Sequence, residues 1–71
     1  MDKEDFKVRL GEKIAYYRKR KGLTQQALGD EVGKERQDIS NIEHGRMVIS
    51  SYLVYKIAQA LDVTPNELMG V

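Results

Sequence analysis

The stretch Arg36 to Arg46, RQDISNIEHGR, carries the side chains in this sequence best suited to molecular recognition. On a helical wheel at ~100° per residue with Arg36 at 0°, Ile39 and Ile42 fall near ~300° and ~240°. Arg36, Gln37, Ser40 and Asn41 spread over about 0° to 140°, on the opposite side. An arginine guanidinium matches O6 and N7 of guanine, and glutamine or asparagine amides match N6 and N7 of adenine. The chemistry on offer is therefore the reading of base edges from a helix pinned on its other side by two isoleucines. A solvated polar face is the equal alternative on the wheel alone. Asp38, near ~200°, lies at the edge of this face. It could accept from a cytosine amine, and a solvent-facing position is the simpler expectation.

Other chemistries find little support. The sequence has no cysteine and one histidine, His44, with no further ligands at metal-binding spacing. There is no nucleophile–base pair and no glycine-rich phosphate loop, so the sequence does not suggest an enzyme, a cofactor or a small-molecule ligand. Net charge is +1, from 12 Lys+Arg and 11 Asp+Glu, so any basic face must come from segregation of charge. The run RKRK, Arg18 to Lys21, is one such segregation. It reads as a complement to the C-terminal dipole of its own helix or, less simply, as a phosphate-binding edge. No apolar run reaches membrane-spanning length and no signal-peptide pattern is present, which makes the cytoplasm the expected setting.

With 71 residues, 41% of them hydrophobic, the chain suits one domain spanning 1–71. Apolar spacing predicts five helices and no strand. The first runs from about Asp5 to Lys21 on Leu10, Ile14 and Tyr17, with Gly22 after it. The second follows Thr24 as N-cap and ends by Val32, with Ala27, Leu28 and Val32 apolar. Gly33-Lys34-Glu35 forms a turn in which a left-handed backbone at Gly33 costs little. The third spans about Arg36 to His44, closed by Gly45. The fourth begins near Ser50 or Ser51 and faces Val54, Ile57, Ala58 and Leu61 inward. The fifth opens with TPNE, where Thr64 is the N-cap, Pro65 stands at N1 and Glu67 completes a capping box; it ends by Gly70. Helices two and three have the spacing of a helix-turn-helix, over about 24–44.

The segment LTQQALGDEVGKERQDISNIEHGR, Leu23 to Arg46, together with IAQALDVTPNEL, Ile57 to Leu68, resembles the phage-repressor (Cro/CI-type, lambda-repressor-like) helix-turn-helix family. The resemblance covers nearly the whole chain. It implies an all-α, compact five-helix lambda-repressor-like domain that binds DNA, in a prokaryotic or phage context. It implies that Gln25 holds a phosphate, that Gln26 and Lys34 lie near the backbone, and that Arg36 and Gln37 stand at the base-reading positions with Ser40 and Asn41 beside them. His44, Gly45 and Arg46 match the loop that approaches the other phosphate strand, partly through backbone N–H groups. Two positions depart from the family pattern. Gly29 stands where Ala is usual, at a cost of roughly 0.5–1 kcal/mol to the helix. Glu35 precedes the third helix, where Ser or Thr is commoner.

Glu43, near ~340° on the wheel, is expected partly buried and in need of a cation; the resemblance gives Arg18 as that partner, in a structural ion pair. Tyr52, Leu53 and Tyr55 lie partly off the inward face of the fourth helix, and with Leu68, Met69 and Val71 they are expected either to expose an apolar dimer interface or to wrap the edge of a small core. The expected function is sequence-specific binding of double-stranded DNA by a transcriptional regulator, as a repressor and homodimer on a near-palindromic operator. The rival is a protein-interaction module or antitoxin using the same fold, which should place aliphatic or aromatic anchors on the third helix.

Overall fold

The computed structural model describes residues 2–70. Five helices follow in order: α1 Lys3–Arg20, α2 Gln25–Val32, α3 Arg36–Glu43, α4 Ser51–Leu61 and α5 Pro65–Met69. Each start has a local cause. Asp2 accepts from the Asp5 amide at 2.9 Å, so α1 begins two residues before the apolar stripe would place it. Thr24 accepts from Ala27 N–H at 3.0 Å, Ser50 from Leu53 N–H at 3.1 Å and Thr64 from Glu67 N–H at 3.2 Å. Pro65 occupies the first turn of α5, where its missing N–H has no partner to lose.

The core gathers Leu10 and Ile14 of α1, Leu28 and Val32 of α2, Ile39 and Ile42 of α3, five residues of α4 and Leu68 of α5. α3 packs on α1 and α2, α4 on α2, α1 and α5, and α5 back on α1. Two lysines tie helix ends across the bundle. Lys21 Nζ donates to Ala60 O near the end of α4, and Lys56 Nζ donates to Val32 O at the end of α2, each at 3.0 Å. These C-terminal carbonyls carry the negative pole of their helices, so both bonds are favourable electrostatically.

Two expectations about exposure need correction. Leu53 is buried beside Val54, because α4 packs against three helices, α2, α1 and α5, which widens its buried arc. Leu68 is fully buried, being the residue with which the short α5 anchors to the core. Tyr52 and Tyr55 are exposed and Met69 is half-buried. Val71 lies outside the described residues.

Candidate nucleic-acid interface

α2, its turn and α3 form a corner whose angle is set by close backbone approach. Gly33 adopts φ 75° and ψ 34°, the left-handed region that glycine enters without a Cβ penalty. The chain then doubles back, and Lys34 N–H donates to Gly29 O at 2.8 Å. A Cβ built on Gly29 would lie 2.5 Å from the Lys34 carbonyl oxygen. The expected penalty for glycine inside α2 is thus offset by a turn that an alanine would obstruct. Gly11 performs the matching task on the other side of α3: a Cβ there would collide with the carbonyls of Ile42 and Glu43.

The corner presents one flank of α3. Ile39 and Ile42 are 0% and 2% exposed, while Arg36 and Gln37 are exposed in the first turn and Ser40 and Asn41 are half-buried beside them. Arg36 has no hydrogen-bond partner among the described residues, so all its donors are free. Gln37 Nε2 and Arg46 Nη1 both donate to Asn41 Oδ1 at 3.4 Å, long bonds that a better acceptor displaces easily. Asp38 is half-buried, and its carboxylate turns back to accept from Glu35 N–H at 3.3 Å. It closes the N-terminus of α3, which explains how Glu35 can stand where Ser or Thr is commoner.

The anticipated phosphate residues are placed unevenly. Gln26 is exposed in the first turn of α2, with Nε2 donating to Asp30 Oδ1 at 2.9 Å. The backbone N–H groups of Gln25 and Gln26 have no acceptor among the described residues, leaving the positive pole of α2 open. Lys34 is exposed at the turn. Gln25, by contrast, donates from Nε2 to Glu43 Oε1 at 3.0 Å. The loop after α3 also differs from expectation. His44 N–H donates to Ser40 O at 3.0 Å, Gly45 N–H to Ile42 O at 3.1 Å and Arg46 N–H to Asn41 O at 2.9 Å. The last two form a Schellman closure, so these three amides serve the helix end and not a ligand. The His44 and Arg46 side chains remain exposed. His44 Nδ1 lies 2.8 Å from Ser40 O. A carbonyl only accepts, so this contact uses a proton on Nδ1.

Arg18 and Glu43 meet beneath this surface. Arg18 Nε donates to Glu43 Oε2, and Nη2 donates to Oε1 at 3.0 Å. Nη1 donates to Leu23 O at 2.9 Å, just before the cap of α2. One guanidinium therefore fixes the end of α1, the start of α2 and the end of α3. Arg20 and Lys21 of the basic run are also occupied within the domain, while Lys19 is exposed. Arg20 donates to Tyr16 Oη at 2.8 Å and Lys21 to Ala60 O of α4 at 3.0 Å.

Residues 11–70 match the family model described as helix-turn-helix domain. The chain belongs to this helix-turn-helix family. It is 35% identical over 65 residues, 92% of its length and 84% of the relative's, to an uncharacterized HTH-type transcriptional regulator, y4dJ, of Sinorhizobium fredii. It is 34% identical to control protein C.MunI of Mycoplasma sp over 67 residues, 93% of this chain and 90% of that one. Among solved structures, the restriction-modification controller protein C.AhdI from Aeromonas hydrophila superposes with a TM-score of 0.82 at 34% identity, covering 86% of this chain and 92% of that one. The P22 c2 repressor, solved in complex with a synthetic operator, superposes with a TM-score of 0.79 at 30% identity, covering 84% and 91%. Among the described residues no helix is long and apolar enough to cross a membrane.

Proposed function

We propose that this helix-turn-helix protein is a DNA-binding transcriptional regulator, a repressor in the cytoplasm, that reads the major groove with α3. The observation that carries the reading is the division of α3: Ile39 and Ile42 are sealed in the core while Arg36 and Gln37 stand exposed in its first turn. That turn is the part of a recognition helix nearest the base edges. Arg36 serves guanine and Gln37 adenine, with Ser40 and Asn41 alongside. Gln25, Gln26, Lys34, His44 and Arg46 form the phosphate grip, with the open N-terminus of α2 adding backbone donors. No catalytic or cofactor role is assigned. Two chains bind one near-palindrome; the exposed Tyr52 and Tyr55 of α4 support an interface between them.

Selection from a random duplex pool tests this reading. Enrichment of a two-fold symmetric sequence is expected. Failure to enrich any sequence favours the rival, a protein-interaction or antitoxin role, although the exposed part of α3 lacks the apolar anchors which that role calls for.

A further inference from the structure

The Glu43 carboxylate has a third donor that a fold-holding ion pair does not require. Its Oε1 accepts from Arg18 Nη2 and also from Gln25 Nε2, each at 3.0 Å. Gln25 is the first residue of α2, and Glu43 the last of α3, so the bond crosses the helix-turn-helix. The Glu43 side chain is 5% exposed and that of Arg18 10%. We infer that Glu43 is a positioning residue for DNA backbone binding: it holds the Gln25 amide in place before the phosphate arrives. This rests on the reading of Gln25 as a phosphate donor given above.

The physical argument has two parts. An amide nitrogen carries two hydrogens. One is committed to Glu43; the other has no acceptor among the described residues, and neither do the backbone N–H groups of Gln25 and Gln26. A glutamine free to rotate loses its rotamer freedom on gripping a phosphate, whereas one already fixed does not. The second part is charge. A bare carboxylate near a phosphate would repel it, but two guanidinium donors of Arg18 neutralise Glu43 at contact distance. The triad thus offers an oriented neutral donor without a net negative charge. Gln26 is a useful contrast, because its side chain is tied only to Asp30 on its own helix, at an exposed position.

The test uses a duplex recovered by selection, with single phosphates replaced in turn by neutral methylphosphonates. In the wild-type protein one replacement, facing the N-terminus of α2, should lower affinity roughly tenfold or more, as for a hydrogen bond to a charged group. Gln25→Ala should erase that penalty. Glu43→Gln should reduce it as well, while leaving the penalties at phosphates facing Lys34 and Arg46 intact, and the double variant should add nothing further. Penalties that change equally at every phosphate in Glu43→Gln, or an unaltered Gln25 phosphate, overturn the inference. If Gln25→Ala itself moves no penalty, the phosphate role of Gln25 fails instead. A measurement on the wild type covers the case in which Glu43→Gln does not fold. The side-chain amide of Gln25 should be as ordered as rigid backbone in the free protein, with an order parameter near ~0.85; a value below about 0.6 overturns the inference.

Discussion

The carbonyl oxygen of Lys34 occupies the place where a side chain on Gly29 would begin, 2.5 Å from the position of a Cβ. The same two residues share a hydrogen bond from Lys34 N–H to Gly29 O at 2.8 Å. Helix propensity favours Gly29→Ala by up to about 1 kcal/mol. Backbone collision opposes it, and a carbonyl in a tight turn yields less readily than the end of a flexible side chain. The collision should win, with a net loss of about 1–3 kcal/mol typical of overpacking. Thermal melts give the sign directly. A variant more stable than wild type would mean that the turn yields and that Gly29 is only a propensity cost.

The Arg18–Glu43 pair should matter more than surface ion pairs do. Arg18 is 8% exposed and makes three hydrogen bonds, two to Glu43 of α3 and one to Leu23 O in the connection before α2. Glu43→Ala leaves this cation without its acceptor and should cost about 3 kcal/mol or more. Lys7–Glu4 is the internal control, with Glu4 76% exposed; Glu4→Ala should fall within about 0.5 kcal/mol of wild type. Denaturant titration of the two variants separates these outcomes, and equal midpoints for Glu43→Ala and wild type would rule out the stabilising role.

These two cases mark what the sequence could and could not convey. Helical periodicity, caps such as Thr24 and Thr64, and the isoleucine strip of α3 are short-range signals, and they place all five helices within a few residues. The wheel put Glu43 at the margin of the core for the same reason. What it could not supply was distance across the chain. Gly29 looks like a weak helix residue until Lys34 folds back on it. Leu53 looks available for an interface until α2, α1 and α5 pack against α4, and Leu68 until α5 packs on α1 and α4. The bond from Gln25 to Glu43 spans 18 positions, and nothing in the spacing of either residue announces it. The amides after α3 were missed differently: Gly45 signalled a helix end, but the Schellman closure that uses the amides of Gly45 and Arg46 is a property of backbone geometry.

Dimerisation should draw on Tyr52 and Tyr55, which are 67% and 49% exposed and three apart on α4, and on the half-buried Met69 of α5. Two recognition helices on one face of a duplex should lie about 34 Å apart. Sedimentation of the protein with its selected duplex should therefore give two chains per site. Tyr52→Glu should weaken assembly without lowering the melting temperature of the monomer. One chain per asymmetric site defeats the dimer.

Salt dependence follows from how few cations face the ligand. Arg18, Arg20 and Lys21 are occupied within the domain, leaving Lys34, Arg36 and Arg46 as the main exposed cations of the corner. If each chain neutralises about three phosphates, a dimer should show a log–log salt slope of about −5. Lys34→Ala should make the slope shallower and weaken selected and scrambled duplexes alike. Affinity that does not change between low and moderate salt contradicts the backbone grip.

Base reading should separate cleanly from folding in α3. Arg36 and Gln37 are exposed, and Gln37 gives up only a 3.4 Å bond to Asn41 when it turns to a base. Arg36→Ala and Gln37→Ala should each cost about 1–3 kcal/mol of DNA affinity and relax preference at one or two base pairs per half-site. Their melting temperatures should stay at the wild-type value, since neither side chain is in the core. Ile39→Ala should do the reverse. Ile39 is fully buried, so the cavity should cost about 2–5 kcal/mol of stability. Site selection repeated with both polar variants, alongside melts of all three, distinguishes the two faces. Unchanged affinity and unchanged base preferences in Arg36→Ala and Gln37→Ala would remove α3 as the reader and bring the protein-interaction alternative forward.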